Sequence, residues 1–382
     1  MSLTSRLVKQ VWAKAVSESD LRAASFFVLD ALASAVGAQR TEPGRIFLEW
    51  WAERGQNVAS ETFTLAGLIH ILEMDDLHRE SVTHPGCVVI PAAWATATRH
   101  GKSGAEFLTA VLRGYEVMAR IGAAVGPAHY KIWHNTATCG PFGSAAATSA
   151  LLGLTEERVV WALGNAGTQA SGLWEFIEEG ALTKHLHAAR AAEAGLSAAE
   201  LARRGLTGPT RILEGGRGFF RAMCPDGNPK RVLGRPDDPW ELTRTSIKPW
   251  PSCRHTHPTI DAALALRTEE SAAGSWGELA ESVVRVETYG EALALCDRPT
   301  PTSAYEAKFS LQFCVAAALK HGEVGLTSFD EEPRAAHAAD GVAVTVAVDP
   351  GLQAAYPDQW GARVTLHRPG REPTVSERRA CL

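Results

Sequence analysis

The stretch from Leu72 to Gly86 crowds Glu73, Asp75, Asp76, His78, Glu80 and His84 into one short segment. Carboxylates beside imidazoles can move protons, hold a metal ion, or do both. Three further charged clusters follow, at Lys131 with His134, at Lys184 with His185 and His187, and at Lys248 with Arg254, His255 and His257. Clusters so far apart in the chain predict one site assembled by the fold. Removing a proton from carbon next to a carboxylate needs a base near neutral pKa, which histidine supplies. It also needs cations for the charge that develops on oxygen, which lysine and arginine supply.

Each cluster has a plainer reading beside the chemical one. His84 precedes Pro85 and Gly86, a pair expected to stop local helix and present the imidazole from a loop. The same histidine could simply tie that loop down. His134, with Asn135 and Thr136, precedes the small-residue run Gly143 to Ala150, which opens a helix whose free N–H groups would welcome a carboxylate. A capping cluster without substrate explains those residues too. Lys184 and His187 fall on one helix face, and Lys184 has little acid near it in sequence. That makes it a candidate for a partly buried ammonium rather than a solvated one. His255 and His257, with His78, Glu80 and His84, form an alternative metal-hydrolase set, but the first cluster is not HExxH and nothing repeats with zinc spacing. No metal and no cofactor is therefore expected. Gly215 to Gly218 lacks the strand–GxGxxG–helix context of dinucleotide binding, and no GxSxG or P-loop motif exists.

The elements that must position these residues change character along the chain. From Leu21 to about Gly205 the pattern is helix after helix, Ala-rich and broken by Gly and Pro. Ser103 with Glu106 forms a capping box before a run reaching Val125, and Thr155 opens another helix with Glu156 and Glu157 at its positive end. Such helices predict a dense bundle with a ligand site between them. After the Pro/Gly/Asp-rich stretch from Cys224 to Trp240, period-two alternation at Val283 to Thr288 and Val342 to Val348 predicts strands, with another at Gly361 to His367. Ser303 and Glu306 predict a capping box before a helix from Phe309 to Lys320, and the tail from Arg368 to Leu382 reads as polar and loose. The expected fold is mainly α with a smaller α+β domain: an all-helical bundle over 1–240 and an α+β lid over 241–382.

With 382 residues, 45% hydrophobic, 21% charged and a formal charge of −5, the chain has the composition of an ordinary globular protein of two domains. Nothing in it pulls toward nucleic acid or anionic membrane, so the expected partners are small molecules or copies of itself. Seven scattered cysteines without a CxxC pair argue for a reducing compartment, the cytoplasm. No apolar run is expected to approach the roughly 18 residues of a membrane span. The eleven tryptophans, including Trp133, Trp174 and Trp250 beside the clusters, read as core or interface residues.

In order and spacing, the clusters resemble the MmgE/PrpD family, which includes 2-methylcitrate dehydratase, cis-aconitate decarboxylase and iminodisuccinate epimerase. The matching pieces include Asp75-Asp-Leu-His, His84-Pro-Gly, Gly114-Tyr-Glu-Val, His134-Asn-Thr, Ala166-Gly-Thr-Gln-Ala-Ser-Gly, Lys184-His-Leu-His, Gly205-Leu-Thr-Gly-Pro, and Lys248 through Pro251 with Cys253. The resemblance implies a large helical domain, a smaller α+β lid, a homodimer, and a site between domains that takes small di- or tricarboxylates without metal or organic cofactor. It places His84, His134 and Lys184 at polar active-site positions and Lys248 with Cys253, His255 and His257 in the lid's contribution. The family's first acidic position falls on Glu73 and its threonine on Leu77. Cys253 stands where decarboxylases carry histidine, and Phe313 where relatives often show tyrosine. Members usually continue with helices that return to the main domain, which this chain would lack.

The leading expectation is a cofactor-independent lyase of dehydratase type. His84 or His134 removes the carbon-bound proton, Lys184, Lys248 and imidazoles hold the carboxylates, and Glu73 or Asp76 protonates the departing hydroxyl. An epimerase or racemase with bases on opposite faces, a decarboxylase, and a catalytically impaired binding subunit are the alternatives.

Overall fold

The structure, a computed structural model, describes the chain except residues 56, 236, 278, 280, 341 and 380–382, and describes no side chains over 336–340. Cys381 thus lies outside the described residues; the other six cysteines are free thiols, all buried. Seventeen α-helices and one four-stranded sheet are present among the described residues, so the expected class, mainly α with a small α+β part, holds. The chain divides into two compact units, Met1–Ile247 and Lys248–Leu382.

The first unit is built around the helix Asn135–Leu151, whose residues are buried on every side except at Ala150. Its Ala, Gly, Ser and Thr side chains are short, so four neighbours approach closely: Gly86–Arg99, Gly104–Gly122, Glu156–Gly167 and Thr183–Arg203. The tightest approach is at Gly195, where a Cβ would stand 2.3 Å from the Pro141 carbonyl oxygen. Side-chain caps start the helices where the sequence marks them. Ser103 accepts from the Glu106 N–H while Glu106 accepts from the Ser103 N–H, and Thr155 accepts from the Arg158 N–H.

Helix begins earlier than expected, with Leu3–Ala13 and Glu18–Ala38 ahead of the predicted start. Glu18–Ala38 also corrects the membrane expectation, because it is long and apolar enough to cross a bilayer by length and composition. Its buried face, including Phe27, Val28 and Ala31, belongs to the main hydrophobic core, as in the core helix of a globular unit. The stretch from Cys224 to Trp240 lies inside the first unit, and among its described residues Pro229–Val232 forms a short helical turn.

In the second unit the sheet runs in the order Ala343–Val348, Val283–Thr288, Ala362–His367, Thr374–Arg378, with the first pair parallel and the others antiparallel. The last strand corrects the reading of a loose tail: Thr374 to Arg378 buries Ser376 between outward Val375 and Glu377, and pairs residue by residue with Ala362–Leu366. The Ser303–Glu306 box caps a separate five-residue helix, Ala304–Lys308, and Ser310 caps the next one, Leu311–His321. Helices His257–Ala272 and Leu311–His321 give Ile260, Leu266, Phe313 and Leu319 to a core shared with Val284, Val286 and Val364 of the sheet.

Candidate functional site

The helix Val58–Ile71 ends just before the acidic segment, and its last turn carries His70, fully buried. Asp75, five residues on, turns back so that its Oδ2 lies 2.6 Å from His70 Nδ1 and 3.4 Å from His84 Nδ1. Asp75 is completely enclosed, which favours the neutral acid; the two imidazoles outweigh that and hold its carboxyl well below the usual carboxylate range. His84 is oriented by a second acceptor, the Asp76 carbonyl oxygen 2.7 Å from the same Nδ1. Contrary to expectation, Pro85 and Gly86 do not stop a helix but start one: Pro85 is the N-cap of Gly86–Arg99. The fixed φ of proline suits that first turn.

His134 comes from another element. It is itself the N-cap of Asn135–Leu151, so the helix opens eight residues ahead of the predicted run at Gly143. Its ring lies parallel to that of His70 with centroids 5.8 Å apart, against Trp174 at 4.7 Å, and its Nδ1 is 3.4 Å from His187 Nδ1. Burial first, then the neighbouring charges of His187, His70 and Lys184, push His134 well below its ordinary pKa. His187 is lowered to about 4 by burial and then by His70 and Lys184. Both rings are therefore held toward the neutral form. A cavity of about 650 Å³, lined by Trp133, Gln169, Phe176 and Arg190 among others, opens onto His187.

Lys184, in the first turn of Thr183–Arg203, is buried as anticipated, but it is paired: its Nζ donates to both Glu73 oxygens at 2.5 and 2.7 Å. Sequence proximity gave no hint of this partner, because Glu73 lies 111 residues away. The first unit thus gathers His84, His134, Lys184 and Glu73 of the expected set. Asp76 takes a different place. Its carboxylate accepts from the Gly86 N–H at 2.9 Å and lies beside Tyr115, and burial together with Asp30 and Asp75 raises its pKa well above normal. Burial thus favours its neutral form, and its hydrogen bond goes to Gly86 rather than to the imidazoles that Asp75 joins.

Sequence reasoning passed over His70, and quoted Asp75 only as part of a motif. A lone histidine closing the otherwise apolar helix Val58–Ile71 is the signal that marks His70. Its Nε2 is buried with no hydrogen-bond partner among the described residues. Such an orphan costs about 1–3 kcal/mol, and so points to a use.

Within the first unit, His78, Glu80 and His84 of the alternative metal-hydrolase set do not converge among the described residues. His78 contacts Ser81 through Nδ1 at 2.9 Å and Glu241 through Nε2 at 3.2 Å, and exposed Glu80 pairs with Arg231. His70, Asp75 and His84 do bring ligand-type atoms within 4.8 Å of one another. Yet both imidazoles turn Nδ1 toward the carboxylate, and the Nδ1 of His84 also meets a carbonyl, which accepts only from N–H. The donor set fits protons better than a cation.

In the second unit, Lys248, Cys253, His255 and His257 are all buried. His255 stacks on Trp360 with centroids 4.6 Å apart and planes 3° apart, and its Nδ1 lies 2.8 Å from the Tyr289 hydroxyl. His257 points elsewhere. Its Nδ1 accepts from Arg254 at 2.8 Å, and burial with the Arg254 and Lys248 charges drives its pKa well down. The HxH pair therefore does not converge on one point. The Cys253 N–H donates to the Lys308 carbonyl at 2.9 Å.

Comparison with known proteins bears on what this arrangement is for. Residues 4–232 match the MmgE/PrpD N-terminal domain and residues 250–380 the MmgE/PrpD C-terminal domain. The chain is 33% identical to a cis-aconitate decarboxylase-like protein, oryM, of Aspergillus oryzae, over 47% of this chain and 40% of the relative. It is 31% identical to human cis-aconitate decarboxylase over 69% of this chain and 55% of the relative. With the Aspergillus terreus cis-aconitate decarboxylase it shares 30% identity over 66% of this chain and 58% of the relative. The chain thus spans about half the length of the curated relatives it matches. With both domains matched in order over nearly all of its length, the chain belongs to the MmgE/PrpD family.

Proposed function

We propose that this protein is a lyase for small di- or tricarboxylates that works by general acid–base chemistry on carbon. The observation that supports it is the meeting, in one cluster, of the His84 and His134 imidazoles with an ion-paired lysine and the Asp75 carboxylate, brought from distant parts of the sequence. His84 or His134 takes the proton next to a carboxylate. Lys184 stabilises the charge that builds on the carboxylate oxygens, and the departing hydroxyl takes its proton from the Lys184–Glu73 pair, whose ammonium carries it. On the family resemblance alone, Lys248, Cys253, His255 and His257 stay candidates for binding substrate. The products of dehydration are water and an unsaturated acid.

Decarboxylation is the second reading, favoured by the names of the relatives. There the breaking bond is carbon–carbon, and a histidine delivers rather than removes the proton. Citrate, 2-methylcitrate and cis-aconitate offered separately in D2O, followed by NMR, distinguish the outcomes. Loss of water with a new alkene supports dehydration, while carbon dioxide release with deuterium at carbon supports the second reading. Absence of turnover and of deuterium exchange with all three overturns both.

A further inference from the structure

We propose that His70 and Asp75 form a buried positioning pair for His84, keeping the ring proton of His84 on Nδ1 so that Nε2 is the atom that exchanges protons with substrate. The proposal rests on the acid–base reading above and deepens it. Its basis is directional. The Asp76 carbonyl oxygen can only accept, and it stands 2.7 Å from His84 Nδ1, so that nitrogen carries hydrogen. Asp75 Oδ2 lies 3.4 Å from the same nitrogen and 2.6 Å from His70 Nδ1, so one carboxylate oxygen faces two N–H donors. His70 meets His84 edge to face, with centroids 4.8 Å apart, which fixes the plane of the His84 ring as well as its tautomer.

The surroundings leave Asp75 few other duties. Its remaining neighbour of note is the Cys87 thiol, pushed well up by burial and by Asp75 and Asp76. Asp76 points to Gly86 and Tyr115, and the Lys184 ammonium is matched by Glu73. His134 and His185 complete the ring of titratable groups around His70. When His84 Nε2 takes a proton from carbon, the C–H electron pair becomes the new double bond as the hydroxyl leaves as water with a proton from the Lys184 ammonium, which solvent later restores. The imidazolium so formed has the Asp75 charge 3.4 Å behind it and passes its proton to solvent when product departs.

The test uses the full chain labelled with ¹⁵N-histidine, and the variants Asp75→Asn, Asp75→Glu and His70→Gln. In the ligand-free protein, imidazole NMR should show His84 as the Nδ1–H tautomer; the Nε2–H tautomer overturns the proposal even if the protein turns over polycarboxylates. In kinetics, Asp75→Asn should lower kcat by about 10²-fold or more with KM little changed, as expected for loss of tautomer control. It should also move the acid limb of the kcat/KM profile to lower pH, and Asp75→Glu should recover part of the loss. A lowered kcat with an unmoved acid limb and no recovery by glutamate assigns Asp75 a merely structural role and overturns the proposal. Wild-type protein with the expected tautomer but no turnover overturns the acid–base reading instead, and the positioning pair stands.

Discussion

Glu73 reaches Lys184 with both carboxylate oxygens while its own backbone sits at φ 58°, in the left-handed region that residues other than glycine seldom adopt. The helix Val58–Ile71 has just ended, and this turn of the chain swings the Glu73 side chain inward, where Thr183–Arg203 presents the lysine. Backbone strain of this kind costs of order 1–3 kcal/mol and persists only where its surroundings impose it. Here the buried ion pair accompanies it.

That pairing makes single and double substitutions diverge. Lys184→Met leaves a buried carboxylate without its cation and should destabilise the protein by about 3–5 kcal/mol; the double variant Lys184→Met with Glu73→Gln should recover much of that loss. Urea unfolding of the four proteins in a double-mutant cycle measures it. Losses that simply add would show that the two groups do not depend on each other, and the assignment of a coupled buried pair would fall.

The depressed imidazoles set a direction for stability against pH. In the unfolded chain a histidine binds its proton below about pH 6.5. In the fold, His187 resists protonation down to about 4, and His134 is likewise displaced downward. Between those limits the unfolded chain holds more protons, so stability should fall as pH drops from about 6.5 toward 4. His187→Gln should flatten part of that fall. Melting temperatures of both proteins at pH 7, 6, 5 and 4.5 decide the matter, and parallel curves would remove His187 from the account.

Much of this was legible in the residues, and the misses share a cause. Capping boxes at Ser103 and Ser303, the strand alternations and the helical texture rest on local chemistry, so local pattern found them. The Lys184–Glu73 pair and the choice of Asp75 over Asp76 depend on which way a tight turn aims adjacent carboxylates, and no spacing rule encodes that. His70 was hidden for a related reason. An isolated histidine in an apolar helix has the pattern of a core residue, and only the fold shows His84, His134 and His185 gathered around it. The final strand escaped notice because its sequence, Thr374 to Arg378, is mostly polar, as edge strands often are.

His84 and His134 should each matter to turnover by about 10² to 10⁴-fold, the usual contribution of a general acid or base. Replacement of either by alanine, tested in single-turnover reactions with the polycarboxylate the protein accepts, checks this. If both variants keep wild-type rates, the imidazole cluster is structural and the lyase reading loses its base.

Gly172 offers a way to disturb His134 without touching it. It adopts φ +121°, and its carbonyl oxygen accepts from the His134 N–H at 2.9 Å. A Cβ there would stand 2.5 Å from the Ala137 Cβ and 3.2 Å from His187 Nδ1. Ala137 lies in the first turn of the helix that His134 caps, so relief of the clash shifts that turn or the Gly172 carbonyl that holds the His134 N–H. Gly172→Ala should therefore cost of order 1–3 kcal/mol through its backbone alone. It should also reduce turnover by up to about 10²-fold, because displacing a reacting group by about 1 Å has that effect. Denaturant unfolding gives the first quantity and kcat of the folded fraction the second. A variant that loses stability yet keeps full kcat would mean that the position of His134 does not govern the reaction.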